Sequence, residues 1–438
     1  MTSITGIAEK MQTVLTSTAN SFARETGFVR RVGKVTASAF CQTCVLGWLR
    51  NPAATLDELT VTAAGLGLCI SSPGLHQRFT REAAALLQNV LQAVVSEVVS
   101  AEPVAIPILN RFAAVIVQDG STISLPSALA KVWQGCGNGG DEPSAALKIQ
   151  VGLDLRTGAL QGPILQNGRS QDRTSPLQGP SGTAKVLRLN DLGYFSLDNL
   201  QELDEQGEFY LTRLQAGTLV FDRDGSRVDL LRLLQEQGIG IVDMPIQIGR
   251  VHRLPVRLVA ARVPEEVANE RRRKLNDEAR KKGQHVSEER LRLADWTIYV
   301  TNVPEELLSW KDAMIMARVR WQIELLFKLW KQHGRIDEWR SNKAWRILCE
   351  VYAKLIAMVL QHWLLLVCSW RYPDRSMVKA AQIVRDNVGL LVSGMRNAIP
   401  LTVAIEQIRA YAAAGCRMNR RRKRPNTYQL LLDLQHAS

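Results

Sequence analysis

The sequence predicts a mixed α/β (α+β) chain, with a strand-rich middle set between helical ends. Three observations carry this. Residues up to about 105 follow helical spacing, Phe112 opens a series of β-type apolar runs, and beyond Asn302 the chain reads as helix almost to its end. Ala101-Glu102-Pro103 breaks the first helical region. The expected domains are therefore 1–105, 106–345 with an irregular strand-rich insertion at about 215–301, and 346–438.

Composition narrows the class of function. The chain has 438 residues, 46% hydrophobic and 22% charged, as in soluble globular proteins. A formal charge of +13 favours a polyanionic partner. Seven cysteines, an odd number, are scattered and suggest no disulfide framework. Cys41 and Cys44 form an isolated C-x2-C inside the apolar run Ala39–Leu49, where core packing is favoured over metal binding. The polar N-terminus lacks the apolar core of a signal peptide. The stretch Leu355–Trp370 contains Gln361 and His362 and falls short of the roughly 20 residues that span a bilayer. The expected setting is reducing and cytoplasmic, with DNA or RNA and no membrane as partner.

In the first region, Leu56–Leu66 reads as a short helix closed by Gly65, and Ser71-Ser72-Pro73-Gly74 as the capped start of another. This punctuation suits a helix-turn-helix whose second helix would present His76, Gln77, Arg78 and Arg81 to DNA. An ordinary helical hairpin has the same pattern. A long amphipathic helix with Leu87, Leu91, Val94, Val95 and Val98 on one face follows.

Phe112–Gln118 is a continuous apolar run, as expected of a strand buried on both faces, and it ends at Asp119-Gly120-Ser121-Thr122. Ala146–Leu155 and Gly158–Gln166 supply the second and third strands, with Asp172 in the loop after them. Thr183–Asn190 is a fourth strand ending at Asp191; Ser196 caps a helix to about Gln206, and Glu208–Leu214 is a fifth strand. In the insertion, Thr218–Phe221, Gly240–Ile248 and Arg257–Arg262 read as strands around a highly charged helix. Trp296–Asn302 reads as the strand that returns to the sheet.

The stretch Arg318–Lys331 reads as one helix, without Gly or Pro. At roughly 100° per residue, Glu324 lies about 40° and Lys331 about 20° round from Arg320, so a carboxylate and two cations share a stripe. The apolar neighbours Trp321, Ile323, Leu325, Leu326 and Phe327 predict partial burial of Glu324, which then needs a cation or a metal. This window alone fits a structural ion-pair ladder as well as a site. Asp119 and Asp191, each directly after a buried strand, tip the balance, because strand ends gather ligand and catalytic groups. Carboxylates without His or Cys favour Mg²⁺, with Mn²⁺ as a substitute, and two such ions could serve phosphoryl transfer. Arg420, Arg421, Arg422, Lys423 and Arg424 follow Arg417 in the densest basic run, which suits either a solvated tail or contact with phosphates.

This order of elements resembles the DDE transposases, and most closely the IS-four family of bacterial insertion-sequence transposases. That family carries Y-x2-R-x3-E-x6-K around its glutamate. Arg320, Glu324 and Lys331 match those spacings, while Ala317 stands in the Tyr position. Asp119-Gly120-Ser121-Thr122-Ile123-Ser124-Leu125-Pro126 and Asn190-Asp191-Leu192-Gly193-Tyr194-Phe195 resemble its two Asp motifs. The resemblance spans about residues 105–345. It implies a ribonuclease-H-like mixed five-stranded sheet flanked by helices, with Asp119, Asp191 and Glu324 holding Mg²⁺ and with Arg320 and Lys331 on phosphate. It further implies double-stranded DNA (transposon ends and target) as partner, cleavage at the ends, strand transfer into target DNA, and a homodimer that brings two ends together. A metal nuclease without strand transfer, or a non-catalytic DNA-binding protein derived from a transposase, would share parts of this pattern.

Overall fold

The structure, a computed structural model of the chain, describes residues 2–31, 33–137, 143–236, 240–419, 429 and 431. Helices α1 (Ile4–Thr13), α2 (Ala19–Glu25), α3 (Ala37–Arg50), α4 (Leu56–Gly65), α5 (Ser72–His76) and α6 (Arg81–Ser96) precede strand β1 (Ala114–Leu125). Next come β2 (Ala145–Asp154), β3 (Leu160–Asn167), β4 (Val186–Asn190), α7 (Leu197–Glu205) and β5 (Phe209–Arg213). The insertion holds β6 (Val220–Phe221), β7 (Arg227–Val228), α8 (Leu230–Glu236), β8 (Ile241–Ile248), β9 (Leu254–Arg262), α9 (Glu265–Lys281) and α10 (Glu288–Leu293). After β10 (Trp296–Thr301) the elements are α11 (Trp310–Val319), α12 (Trp321–Lys328), α13 (Ala344–Leu365), α14 (Met377–Asp386), α15 (Val388–Met395) and α16 (Leu401–Gly415).

One compact unit gathers Met1–Ile106, Gly120–Ser170 and Gln322–Gln429. Its centre is α13, on which α3 and α6 both pack. The apolar stretch here is longer than Leu355–Trp370: Ala344–Trp370 covers 27 residues, enough by length and composition to cross a membrane, yet 94% of its most apolar window is buried in protein. Apolar residues all round a helix fit a core position, and the polar groups on α13 have protein partners. Lys354 Nζ is 2.8 Å from Glu350 and donates to the carbonyls of Arg335 and Glu338. Tyr352 Oη accepts from Trp133 Nε1 at 2.8 Å, and His362 Nε2 meets the Gly158 carbonyl at 2.7 Å. Gly158 has φ +74°, and a Cβ there would lie 2.3 Å from Leu366, so both backbone and space require glycine. Cys41 and Cys44 are fully buried on α3, where burial pushes both thiols up, and all seven cysteines are free. In the same unit β2 and β3 form an antiparallel pair.

The second unit contains Pro107–Asp119 and Gln171–Trp321. Its sheet runs β1-β4-β5-β10-β9-β8-β6-β7. The β1–β4 and β4–β5 pairs are parallel, and the pairs from β5–β10 onward are antiparallel. β10 returns between β5 and β9, so the insertion continues the same sheet. Leu200, Leu203, Tyr210, Leu234, Leu258 and Val300 form part of the core beneath it. β4 carries a buried cation: Arg188 Nε is 2.9 Å from Glu208, and its other nitrogens donate to the Leu177 and Gly179 carbonyls. That network ties the loop before β4 to the strand that ends at Asp191.

Candidate active site

The alternation of buried Ile123 and Leu125 with exposed Thr122 and Ser124 carries β1 past Asp119 to Leu125. Asp119 therefore lies inside a strand and not at its mouth, which corrects the expected end of this element. β1 and β4 pair in parallel from Ala114↔Val186 to Val117↔Leu189. Asp119 lies two residues beyond the last paired residue of β1, and Asp191 two residues beyond that of β4 and just past its end. The parallel β1–β4 pairing thus carries two carboxylates 72 residues apart in the sequence toward one end of the pair.

The turn after β4 completes this corner. Asp191 caps the short helical turn Leu192–Tyr194, and its carbonyl accepts from Tyr194 N at 3.0 Å. Gln178 Nε2 holds the Tyr194 carbonyl at 3.1 Å. Asp172 sits against Gly193, its Oδ2 3.4 Å from where a Cβ would lie. Tyr194 is buried, and its phenol is pushed well above the ordinary tyrosine range, by burial first and then by Asp172, Asp119 and Asp191, with Arg320 opposing. Asp172 and Tyr194 thus join the aspartate pair. The sequence offered only weak signals for them: a lone loop carboxylate, and an aromatic residue three places after Asp191.

Arg320 caps the C-terminus of α11, with Nε 3.9 Å from Asp191 Oδ1. α11 is anchored at its start by Ser309, which accepts from Asp312 N, and by Arg257, which donates to the Val303 and Leu308 carbonyls. The expected single helix over Arg318–Lys331 is interrupted: α11 ends at Val319, α12 starts at Trp321, and a π-helical turn covers Leu329–His333. The interruption changes the shared-stripe geometry, because the constant 100° step no longer holds across Arg320 or through the π turn. Glu324, in the first turn of α12, is half-buried as expected, but Trp321 and Leu325 beside it are exposed. Lys331 Nζ donates to the Thr122 carbonyl at 3.3 Å, on the part of β1 that belongs to the same unit. Ala317 lies half-buried on α11.

Among the described residues, three His, Cys, Asp or Glu side chains nowhere group closely enough to hold a metal ion by themselves. The donor set nonetheless suits a hard cation, since Mg²⁺ is commonly bound by one or two carboxylates plus water and substrate phosphate. Asp119 and Asp191 are carboxylates of this kind, and Arg320 faces Asp191.

In the helical unit, His76 ends α5, Gln77 and Arg78 follow it, and Arg81 opens α6. The residues assigned to one recognition helix are thus divided between two helices and the turn joining them. Arg420, Arg421, Arg422, Lys423 and Arg424 lie outside the described residues.

The family model for the transposase DDE domain matches residues 110–360. The transposase for insertion sequence element IS231E of Bacillus thuringiensis subsp. finitimus is 31% identical over 382 residues, covering 81% of this chain and 78% of that protein. The transposase for IS231C of Bacillus thuringiensis subsp. berliner is 30% identical over 406 residues, covering 85% and 83%. The transposase for IS1151 of Clostridium perfringens is 25% identical over 365 residues, covering 78% and 76%. With a parallel β1–β4 pair leading to the two aspartates and a match across most of its length, the chain belongs to the DDE transposases of bacterial insertion sequences, enzymes of DNA transposition with a ribonuclease-H-like fold.

Proposed function

We propose that this chain cleaves DNA at the ends of its insertion sequence and joins the freed 3′-hydroxyl to target DNA. The observation that supports the reading is the parallel β1–β4 pairing, with Asp119 and Asp191 two residues beyond its last pair and both close enough to Tyr194 to raise its phenol. Together with Glu324, assigned from the sequence motif, these carboxylates would hold Mg²⁺, or Mn²⁺ in its place. When bound, a pair of such ions activates the attacking oxygen and stabilises the leaving one. The chain's own groups do the rest. Arg320, beside Asp191, orients a phosphate through its planar N–H fork, and Lys331 adds a point charge held near β1 by the Thr122 carbonyl. Tyr194 stays protonated under the aspartates and keeps its hydroxyl as a neutral dipole there.

Double-stranded DNA is the substrate, and a homodimer bringing together two ends is the assembly the family reading implies. His76, Gln77, Arg78 and Arg81 contribute DNA contacts from the helical unit, and Arg420, Arg421, Arg422, Lys423 and Arg424 add phosphate contacts. Action on chromosomal DNA places the protein in the cytoplasm at the nucleoid. Ala317, in place of the family's tyrosine, provides no hydroxyl for a terminal phosphate.

The test is cleavage and strand transfer on duplexes carrying the element's ends, with and without Mg²⁺, for wild type and for Asp119→Asn, Asp191→Asn and Glu324→Gln. Each substitution is expected to reduce both steps more than about 100-fold, beyond the 10–100-fold cost typical of outer-shell metal partners. Full activity in any of them would remove that residue from the site. Cleavage without joining by wild type would identify a nuclease, and binding without either step a non-catalytic DNA-binding protein.

A further inference from the structure

The start of α13 collects cations around a single imidazole. Lys343 Nζ lies 2.9 Å from His76 Nε2, and Arg346 Nη1 lies 3.4 Å from His76 Nδ1. A neutral imidazole has one acceptor nitrogen and one N–H, so it can satisfy only one of these two donors. Burial first, then Lys343 and Arg346, lowers the His76 pKa, so the ring resists becoming a third cation.

Arg346 is only 9% exposed, and its Nε has no hydrogen-bond partner. Its guanidinium lies over the Phe79 ring, 5.6 Å from the centroid, and Arg81 lies over Trp345 at 5.9 Å. The carboxylate one turn along α13, Glu350, pairs with Lys354 instead. Among the described residues, no carboxylate lies within ion-pair distance of Arg81, Lys343 or Arg346. A buried guanidinium without a counter-ion is costly, whereas Lys343 and Arg81 are exposed and leave the cluster open to an anion from solvent.

We infer that His76, Arg81, Lys343 and Arg346 form a seat for one DNA backbone phosphate, built where α5 and α6 meet the N-terminus of α13. DNA is chosen as the source of the anion on charge, because the chain carries +13, and on the transposition reading, on which this inference rests. A phosphate seat fixes register and orientation on the duplex without reading sequence. It gives His76 and Arg81 a role that a five-residue α5 does not provide through groove reading.

The experiment is DNA binding without divalent metal across a salt series, using an end duplex and an unrelated duplex of equal length. Arg81→Gln and Lys343→Gln test exposed positions, and Arg346→Met is added with its melting temperature as a check on folding. Each glutamine variant is expected to reduce the log-log salt slope by up to about 0.9 and to weaken both duplexes by the same factor. An unchanged slope in the Arg81→Gln/Lys343→Gln double variant overturns the seat, as does a loss confined to the end duplex. Inorganic phosphate is the second probe: thermal stabilisation of wild type that the variants lose, with DNA slopes unchanged, would make this a free-phosphate site and overturn the DNA assignment. Wild type that binds and cuts ends while the variants match it sinks this inference alone. Wild type that binds no DNA sinks the transposition reading and the inference with it.

Discussion

Arg320 Nε stands 3.9 Å from Asp191 Oδ1, with the two side chains 21% and 46% exposed. At that distance the pair is a charge contact and not a hydrogen bond. Solvent screening limits its worth to stability to within about 1 kcal/mol. Arg320→Ala should weaken DNA binding and reduce the salt slope by about 0.9. Arg320→Lys should keep most of the slope yet lose affinity, because a lysine lacks the planar fork. Lys331→Ala should behave like Arg320→Ala. Salt titrations paired with thermal melts check this: lost stability with an unchanged slope would make both residues structural.

Tyr194 gives a second test. Its phenol is buried beside Asp119, Asp172 and Asp191 and held protonated, so it does not titrate in the working range of the enzyme. Tyr194→Phe should leave the shape of the pH–cleavage profile intact between pH 6 and 9. The metal concentration for half-maximal cleavage should rise by about 10–100-fold, as for other groups that support metal ligands. The sign of the linkage follows from the raised pKa. The phenol's contribution to stability is complete below its unfolded value near 10 and is lost only as pH rises above it. A variant whose pH optimum moves would show the phenol taking part in proton transfer.

Much of the second unit was legible because parallel strands buried on both faces read as unbroken apolar runs. Val115-Ile116-Val117 and Val186-Leu187-Arg188-Leu189 stand where the spacing put them, and so does the return strand β10. The parallel pairing of β1 with β4, which leads to Asp119 and Asp191, was not legible, since register depends on which strands become neighbours. Nor was the gathering of Asp172 beneath Gly193, which is a tertiary contact across a loop. The break at Arg320 escaped notice because nothing in Arg318–Lys331 disfavours a helix; where that helix ends is set by packing and not by propensity. A linear reading also divides the chain near 105 and 345, whereas α6 and α13 pack together from opposite sides of both marks.

The Glu350–Lys354 pair at the centre of the helical unit predicts an asymmetric response. Both side chains are almost fully buried and lie 2.8 Å apart. Lys354→Met should destabilise by about 3–5 kcal/mol, because it leaves Glu350 buried without its cation. Adding Glu350→Leu should recover most of that loss, since a well-packed apolar pair often matches a buried ion pair. Denaturant unfolding of the single and double variants checks this. Equal stability of the two would mean that the carbonyl contacts of Lys354 at Arg335 and Glu338, and not the ion pair, hold the segment.

His362 predicts how this unit responds to acid. Its ring is buried, its Nε2–H donates to the Gly158 carbonyl at 2.7 Å, and Nδ1 has no partner to stabilise a proton. Burial lowers its pKa from 6.5 to about 4, with the Gly158 bond opposing part of the shift. Between those values the unfolded chain binds a proton at His362 that the folded chain does not. The stabilisation is therefore complete above about pH 6.5 and is lost as pH falls through about 4. A shift of this size corresponds to about 3 kcal/mol. His362→Gln keeps a donor for Gly158 but has no titration of its own. The stability of wild type relative to this variant should therefore rise by about 3 kcal/mol from pH 4 to pH 7. Urea unfolding across that range measures the difference, and a constant offset would mean that His362 is protonated in the fold and held by a partner other than Gly158.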